Sequence, residues 1–272
     1  MGWNMKAMIF AAGLGTRLKP ITDTLPKALV PVCGKPLVGY VMDKLSAASD
    51  PCTGAPLFTE AVVNVHHFAD KLEAWVDEYN SLGNGGLSSH VSVSDERAML
   101  LETGGAVLHA RPYLEGCGKF LIHNVDIFSN ADLGWFASQV REDALATLLV
   151  SDRETSRFLL FEPASMRLVG WYNKSTGDSH LTDSSMRMED CRALGFSGIH
   201  ILSEQVLDVM EEYVAYRGLE YDRNIGAKFS IMNFYMYATS RYPVYGVEAE
   251  GLEFLDVGKL DTLEKAEQFI KK

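Results

Sequence analysis

Residues 6–36 read KAMIFAAGLGTRLKPITDTLPKALVPVCGKP, and the fold is decided there. The stretch opens on a short apolar run, 7–12, which fits a buried strand. Gly13, Leu14, Gly15, Thr16 and Arg17 follow at once, and Lys27 comes after Pro26. Glycines let backbone N–H groups approach a phosphate closely, and the two cations can neutralise it. Residues 11–17 with Lys27 therefore form a candidate phosphate cradle, with Ala11 and Ala12 at its base. No Gly-Lys-Ser/Thr follows the glycines, which excludes a Walker loop. The third glycine of a Rossmann fingerprint would fall at Leu18, and Pro20 spoils a helix opening there. What remains is Gly-x-Gly-x-Arg with a Pro-Lys further along.

Outside this stretch the composition narrows the class. The chain has 272 residues, 47% hydrophobic and 22% charged, as expected of one soluble α/β domain, read here as 5–272. Its net charge of -11 argues against a nucleic-acid surface, so positive charge for phosphates must be concentrated locally. No apolar run reaches transmembrane length, so no membrane association is expected. The opening MGWNMKAMIF does not read as a secretory signal, and Met5 is a candidate internal start. Cys33, Cys52, Cys117 and Cys191 form no metal spacing and point to a reducing, cytoplasmic setting.

Along the chain, strands are expected at 61–65, 90–94, 119–123 and 144–150, with a turn at 80–88. Helices are expected at 36–48, 68–79, 103–113 and 132–142. This alternation predicts a parallel sheet with helices on both faces and a ligand site at the carboxyl ends of the strands. After Asp152 the rhythm changes. Residues 157–161 and 168–172 read as a hairpin, and 173–192 is polar with no clear period. A strand at 193–202, helices at 203–213 and 229–240, strands at 243–247 and 254–257, and a helix at 259–270 complete the chain. Asp126 and Asp256 each fall at a strand end. Together they are candidate oxygen ligands for a hard divalent cation, a cap or turn role being the alternative for each.

Gly13, Gly15, Thr16, Arg17, Pro20, Thr22, Pro26 and Lys27 together resemble the signature of the sugar-1-phosphate nucleotidyltransferases. Later motifs agree: Glu102-Thr103-Gly104-Gly105, Asn124-Val125-Asp126, Phe196-Ser197-Gly198 and Leu255-Asp256-Val257-Gly258. The resemblance implies a Rossmann-like, glycosyltransferase-A-like α/β fold, with a mixed, mainly parallel sheet and an inserted antiparallel sugar-binding part. It implies a nucleotide-binding half, 5–152, and a sugar-phosphate-binding half, 153–272. It further implies that a nucleoside triphosphate and a sugar 1-phosphate give a nucleotide sugar and pyrophosphate, serving cell-envelope polysaccharide.

On that resemblance Ala11, Ala12, Gly13, Gly15, Thr16, Glu96, Thr103 and Gly104 bind nucleotide, and Arg17 and Lys27 act on its phosphates. Asn124, Lys174, Ser197 and Gly198 face the sugar phosphate, and Asp126 and Asp256 hold Mg²⁺. Lys174 sits in Asn-Lys-Ser, where members carry Glu-Lys-Pro, so a solvated turn lysine is the other reading. Val125 stands where the family has a small residue. The pattern is similar to N-acetylmuramate-1-phosphate uridylyltransferases and to mannose- or heptose-1-phosphate guanylyltransferases, acting as a monomer or small homo-oligomer. A cytidylyltransferase on a phosphocholine-like or polyol phosphate, and a non-catalytic nucleotide-binding relative, are the competing classes.

Overall fold

The computed structural model describes residues 5–83 and 90–271. The candidate start region ahead of Met5 and most of the expected turn at 80–88 lie outside them. In chain order the strands are β1 (Met5–Phe10), β2 (Pro31–Val32), β3 (Lys35–Pro36), β4 (Phe58–Val65), β5 (His90–Asp95), β6 (Lys119–Asn124) and β7 (Ile127–Ser129). They continue with β8 (Ala146–Ser151), β9 (Arg157–Phe161), β10 (Leu168–Asn173), β11 (Ser179–Leu181), β12 (Arg192–Ser203), β13 (Val244–Glu248) and β14 (Phe254–Asp256). The helices are α1 (Leu37–Ala47), α2 (Ala69–Ser81), α3 (Glu102–His109), α4 (Arg111–Leu114), α5 (Leu133–Ser138), α6 (Val206–Arg217), α7 (Ile231–Ala238) and α8 (Leu260–Ile270).

The main sheet is mixed and runs β11-β10-β9-β12-β6-β1-β4-β5, with β8 and β13 branching from β12. Strands β6, β1, β4 and β5 run parallel to one another, as does β13 to β8, while β12 is antiparallel to β6. The inserted part, β9 to β11, is antiparallel. Alternation along β1 explains the helices on both faces. Met5, Ala7 and Ile9 join the core under α1, α2, α5 and α8, while Met8 joins the core under α3, α4, α6 and α7. Fully burying a side chain such as Phe120 or Phe136 contributes about 1.5–3 kcal/mol, so two such cores hold the sheet from both sides.

Several boundaries differ from expectation for local reasons. The strand expected at 61–65 begins at Phe58, because β1 pairs alongside it from Met5. The helix expected over 103–113 is two, parted at Ala110 ahead of Pro112, whose missing N–H suits a helix's first turn. Ser230 accepts a hydrogen bond from the Met232 backbone N–H, which sets the start of α7 beyond 229. The helix expected from Ser203 starts at Val206 instead. Within 173–192 lie β11, paired to β10, and a short 3₁₀ turn, Met188–Asp190. The two-residue hairpin β2–β3 has no counterpart in the sequence reading.

Candidate active site

Parallel register brings the carboxyl ends of four strands to one edge. Phe10 pairs with Asn124, and Val65 with Asp95. A cavity of about 420 Å³ opens there, lined among others by Ala12, Gly13, Lys27, Asn64, Glu96, Thr103, Asn124 and Asp126. The site is built on the loop that follows β1.

That loop is held from below. Asn64 accepts from the backbone N–H groups of Ala11 (2.7 Å) and Ala12 (3.3 Å) through its Oδ1. Its amide nitrogen donates to Glu96 Oε1 at 2.7 Å. The N–H groups of Ala11 and Ala12 are therefore satisfied internally, and Ala12 and Gly13 present the loop to the cleft. Glu96 is only 2% exposed, and burial pushes its carboxyl up to about 7 against the opposing hydrogen bonds from Asn64 and Leu101. Asn64 was not singled out from the sequence. A polar residue inside the apolar run Ala-Val-Val-Asn-Val was the available signal.

Gly15 has φ +62, and a Cβ there would stand 2.8 Å from Thr22 Cγ2 and 3.1 Å from Lys27 Cβ. The glycine thus seats the loop on the stem of Lys27, and the Thr22 hydroxyl donates to the Gly15 carbonyl at 2.8 Å. Thr16 opens a 3₁₀ turn on the exposed side of the loop. Lys27 reaches across to form an ion pair with Asp126, and both side chains are largely buried. Asp126 lies in the tight connection from β6 to β7. Its carbonyl accepts from Val257 N–H at 2.8 Å, and Asp256 pairs with Ile127 in the β7–β14 ladder. The two candidate metal carboxylates therefore belong to neighbouring backbone positions although 130 residues separate them (256 minus 126). Val125, 3% exposed, belongs to the core and also lines the cleft between Asn124 and Asp126.

Asp256 is more open. Its Oδ1 accepts from Gly258 N–H at 2.8 Å, and Arg17 Nη2 stands 4.0 Å from Oδ2. A Cβ at Gly258 would fall 2.5 Å from Arg17 Nη2, so this glycine makes room for the arginine. Two hard carboxylate oxygen donors, with the remaining positions open to phosphate and water, match the donor chemistry of Mg²⁺. Among the described residues no group of three or more His, Cys, Asp or Glu could hold a metal by itself. Below the site His123 is fully buried. Its Nδ1 faces the Asn124 carbonyl at 2.8 Å, and burial pushes its pKa down to about 4, so it is neutral near pH 7. Lys44, lowered to about 8 by burial, donates to the Ser129 carbonyl at 2.8 Å.

Not every expected residue meets the cleft in the expected way. Thr103 lines it, and its hydroxyl accepts from Ile231 N–H at 3.0 Å. The N–H groups of Gly104 and Gly105 both donate to the Phe229 carbonyl (2.9 and 3.1 Å) rather than pointing at a base. Added Cβ atoms would stand 2.4 Å from the Phe229 ring and 1.9 Å from the Ala227 carbonyl oxygen. These glycines seat the 227–229 segment on α3. Ser197 is buried, with its hydroxyl donating to the Leu149 carbonyl at 2.8 Å, so it braces the irregular β8–β12 pairing. Gly198, at φ +77, packs against Asn124, whose Nδ2 would lie 2.7 Å from an added Cβ. Lys174 is 58% exposed and pairs with Glu154 at 3.4 Å on the antiparallel part. Arg153, which the sequence reading passed over, donates to the Phe196 carbonyl at 3.0 Å.

Comparison with known proteins agrees with this arrangement. The family model described as "Nucleotidyl transferase" matches residues 6–159. The chain is 35% identical over 204 residues to the N-acetylmuramate alpha-1-phosphate uridylyltransferase of Caulobacter vibrioides, covering 74% of this chain and 76% of that protein. It is 33% identical over 210 residues to the protein of the same name from Neisseria meningitidis serogroup B, covering 76% and 79%. In fold it is similar to the inositol-1-phosphate CTP transferase of T. maritima, with a TM-score of 0.70 at 17% identity over 100% of this chain and 97% of that one.

Proposed function

The chain belongs to the nucleotidyl transferase family, and from that premise we propose that it uridylylates an N-acetylmuramate 1-phosphate-like sugar phosphate. The enzyme is a sugar-1-phosphate nucleotidyltransferase that makes a nucleotide sugar and pyrophosphate. The choice of base and sugar is supported by two relatives of the same name, each matched over about three quarters of both chains. The observation that carries the site assignment is the Lys27–Asp126 pair at the floor of the cleft, between the glycine loop and Asp256.

No protein nucleophile is required. A phosphate oxygen of the sugar phosphate attacks the α-phosphorus of the nucleoside triphosphate. A new phosphorus–oxygen bond forms, the bond to the β-phosphate bridging oxygen breaks, and pyrophosphate carries the electron pair away. The residues' work is to position and to neutralise charge. The loop from Gly13 to Arg17 wraps the triphosphate, and Arg17 faces the leaving pyrophosphate. Lys27 turns its ammonium from Asp126 towards phosphate as the anions enter. Asp126 and Asp256 would hold Mg²⁺, which when bound supplies shielding of phosphate charge. His123, kept neutral by burial, adds no competing cation beneath Asp126. Glu96 and Thr103 line the part of the cleft assigned to the base.

Losing one such charge typically costs about 2.7–4 kcal/mol of transition-state stabilisation, a rate factor on the order of 10²–10³. Pyrophosphate release by Lys27→Ala, Asp126→Asn and Asp256→Asn should each fall by that factor, with a melting temperature close to the parent for Asp256→Asn and a lower one for the two variants that break the buried Lys27–Asp126 pair. Near-parental rates in all three variants would refute the assignment. Chelation should abolish turnover. In the presence of UTP, Mg²⁺ should raise the melting temperature of the parent but raise that of Asp256→Asn less.

A further inference from the structure

We propose that Arg153, rather than Lys174, is the cation that receives the phosphate of the sugar 1-phosphate. The proposal rests on the nucleotidyl-transfer reading above and names a residue that the motifs did not mark.

Arg153 follows β8 and lies where the parallel and antiparallel parts of the sheet meet. Four observations fix it in place. Its guanidinium stacks on the Phe254 ring, 4.2 Å from the centroid. Its Nη2 donates to the Phe196 carbonyl at 3.0 Å. It lies flat across Gly195, where an added Cβ would stand 2.9 Å from both Cγ and Nε. Its Nε is buried and has no hydrogen-bond partner among the described residues. A side chain held on three sides has already lost most of its rotamer freedom, so binding an anion costs little further ordering.

Its electrostatic setting combines partial burial with the lack of a carboxylate partner within 4.0 Å among the described residues. Every arginine–carboxylate pair found within 4.0 Å among the described residues belongs to Arg17, Arg97, Arg111, Arg187 or Arg192, and none to Arg153. Burial makes its charged form less favourable, and Asp256 alone opposes this by its negative charge. A half-buried guanidinium without a carboxylate partner favours an anion, and a planar guanidinium matches a phosphate bidentately.

Its position gives the anion's identity. Phe196, its carbonyl partner, is two residues before Gly198, which packs on Asn124 of the cleft. Asp256 stands 4.0 Å from Arg17 and lies two residues after Phe254, the ring on which Arg153 stacks. Arg153 is thus anchored on the two segments, around Phe196 and Phe254, that lead to Gly198 and Asp256. Lys174 is mostly exposed, and its neighbour Glu154 already offers a countercharge.

The test is steady-state kinetics on the parent and on Arg153→Ala, Arg153→Lys and Lys174→Ala, using UTP, N-acetylmuramate 1-phosphate and Mg²⁺. Arg153→Ala should raise KM for the sugar phosphate roughly ten- to hundredfold while leaving KM for UTP and inhibition by pyrophosphate near parental values. Arg153→Lys should fall between the two, because an ammonium keeps the charge but not the fork. Lys174→Ala should raise the same KM less than Arg153→Ala does. The reverse ranking would return the role to Lys174. A rise in KM for UTP, or weaker pyrophosphate inhibition, would place Arg153 on the triphosphate instead. An equal effect on both substrates in Arg153→Ala and Arg153→Lys, with a lowered melting temperature, would make the residue structural. A parent enzyme inactive on this pair and on every other nucleotide and sugar phosphate would refute the activity itself, which is a different result from any of these.

Discussion

At the scale of residues, the most informative group is Glu96. It is buried beneath the loop, and its carboxyl titrates near 7 rather than near 4.5 because burial disfavours the charged form. The folded state therefore holds this proton more tightly than the unfolded chain does. The associated stability is complete below about pH 4.5 and is lost as pH rises through about 7. The difference is worth on the order of 3 kcal/mol. Glu96→Gln removes the titration and retains an acceptor for the Asn64 amide. Urea unfolding of parent and variant should show the parent losing roughly 2–3 kcal/mol relative to Glu96→Gln between pH 4.5 and pH 7.5. A difference that stays constant with pH would mean that Glu96 is ionised and solvated throughout. Residues of this kind divide the legible from the illegible. Lys27, Asp126 and Asp256 could be found because each stands in a motif or at a strand end. Asn64 stands out only as a polar residue in an apolar run, and Arg153 not at all, because their partners lie far away in sequence: Ala11 for the first, Phe196 and Phe254 for the second.

At the scale of elements, α3 shows how the glycines of a motif can be required by packing. Thr103-Gly104-Gly105 is where the sequence placed a base-reading loop, and the segment does border the cleft through Thr103. Its glycines, however, are required by the chain from Ala227 to Phe229, which lies against them. Gly105→Ala puts a methyl group 1.9 Å from the Ala227 carbonyl oxygen, a backbone atom that cannot swing away. The substitution should cost at least roughly 1–3 kcal/mol in urea unfolding. Gly13→Ala, where nothing lies within 4 Å of the added carbon, should stay within about 0.5 kcal/mol of the parent. Equal effects would mean that α3 does not carry the 227–229 segment. The other elements follow the same division. Hydrophobic periodicity sufficed for β1, α1, α2 and β6. The break at Ala110, the β2–β3 hairpin and β11 depend on a proline, a two-residue turn and an edge pairing that periodicity does not encode.

At the scale of the whole molecule, one sheet joins the nucleotide side to the sugar side. Strand β12 pairs with β6, β8 and β9, so it ties the parallel half to the antiparallel insertion and packs Gly198 against Asn124 of the cleft. Alternating strands and helices made the parallel half legible, and the hairpin at 157–161 and 168–172 marked the insertion after the rhythm changes at Asp152, with β11 alone left unread. The charge distribution is consistent with the function. The chain carries a net charge of -11, yet Arg17 and Lys27 stand against Asp256 and Asp126, which lie on neighbouring backbone positions. Among the described residues no helix is long and apolar enough to cross a membrane. The most direct test of the central claim is to incubate the purified chain with UTP, N-acetylmuramate 1-phosphate and Mg²⁺ and to quantify pyrophosphate and nucleotide sugar together. The account predicts equimolar release of both, requiring both substrates and the cation. It would be contradicted by nucleotide binding without pyrophosphate release, with this pair and with every other nucleoside triphosphate and sugar 1-phosphate tried.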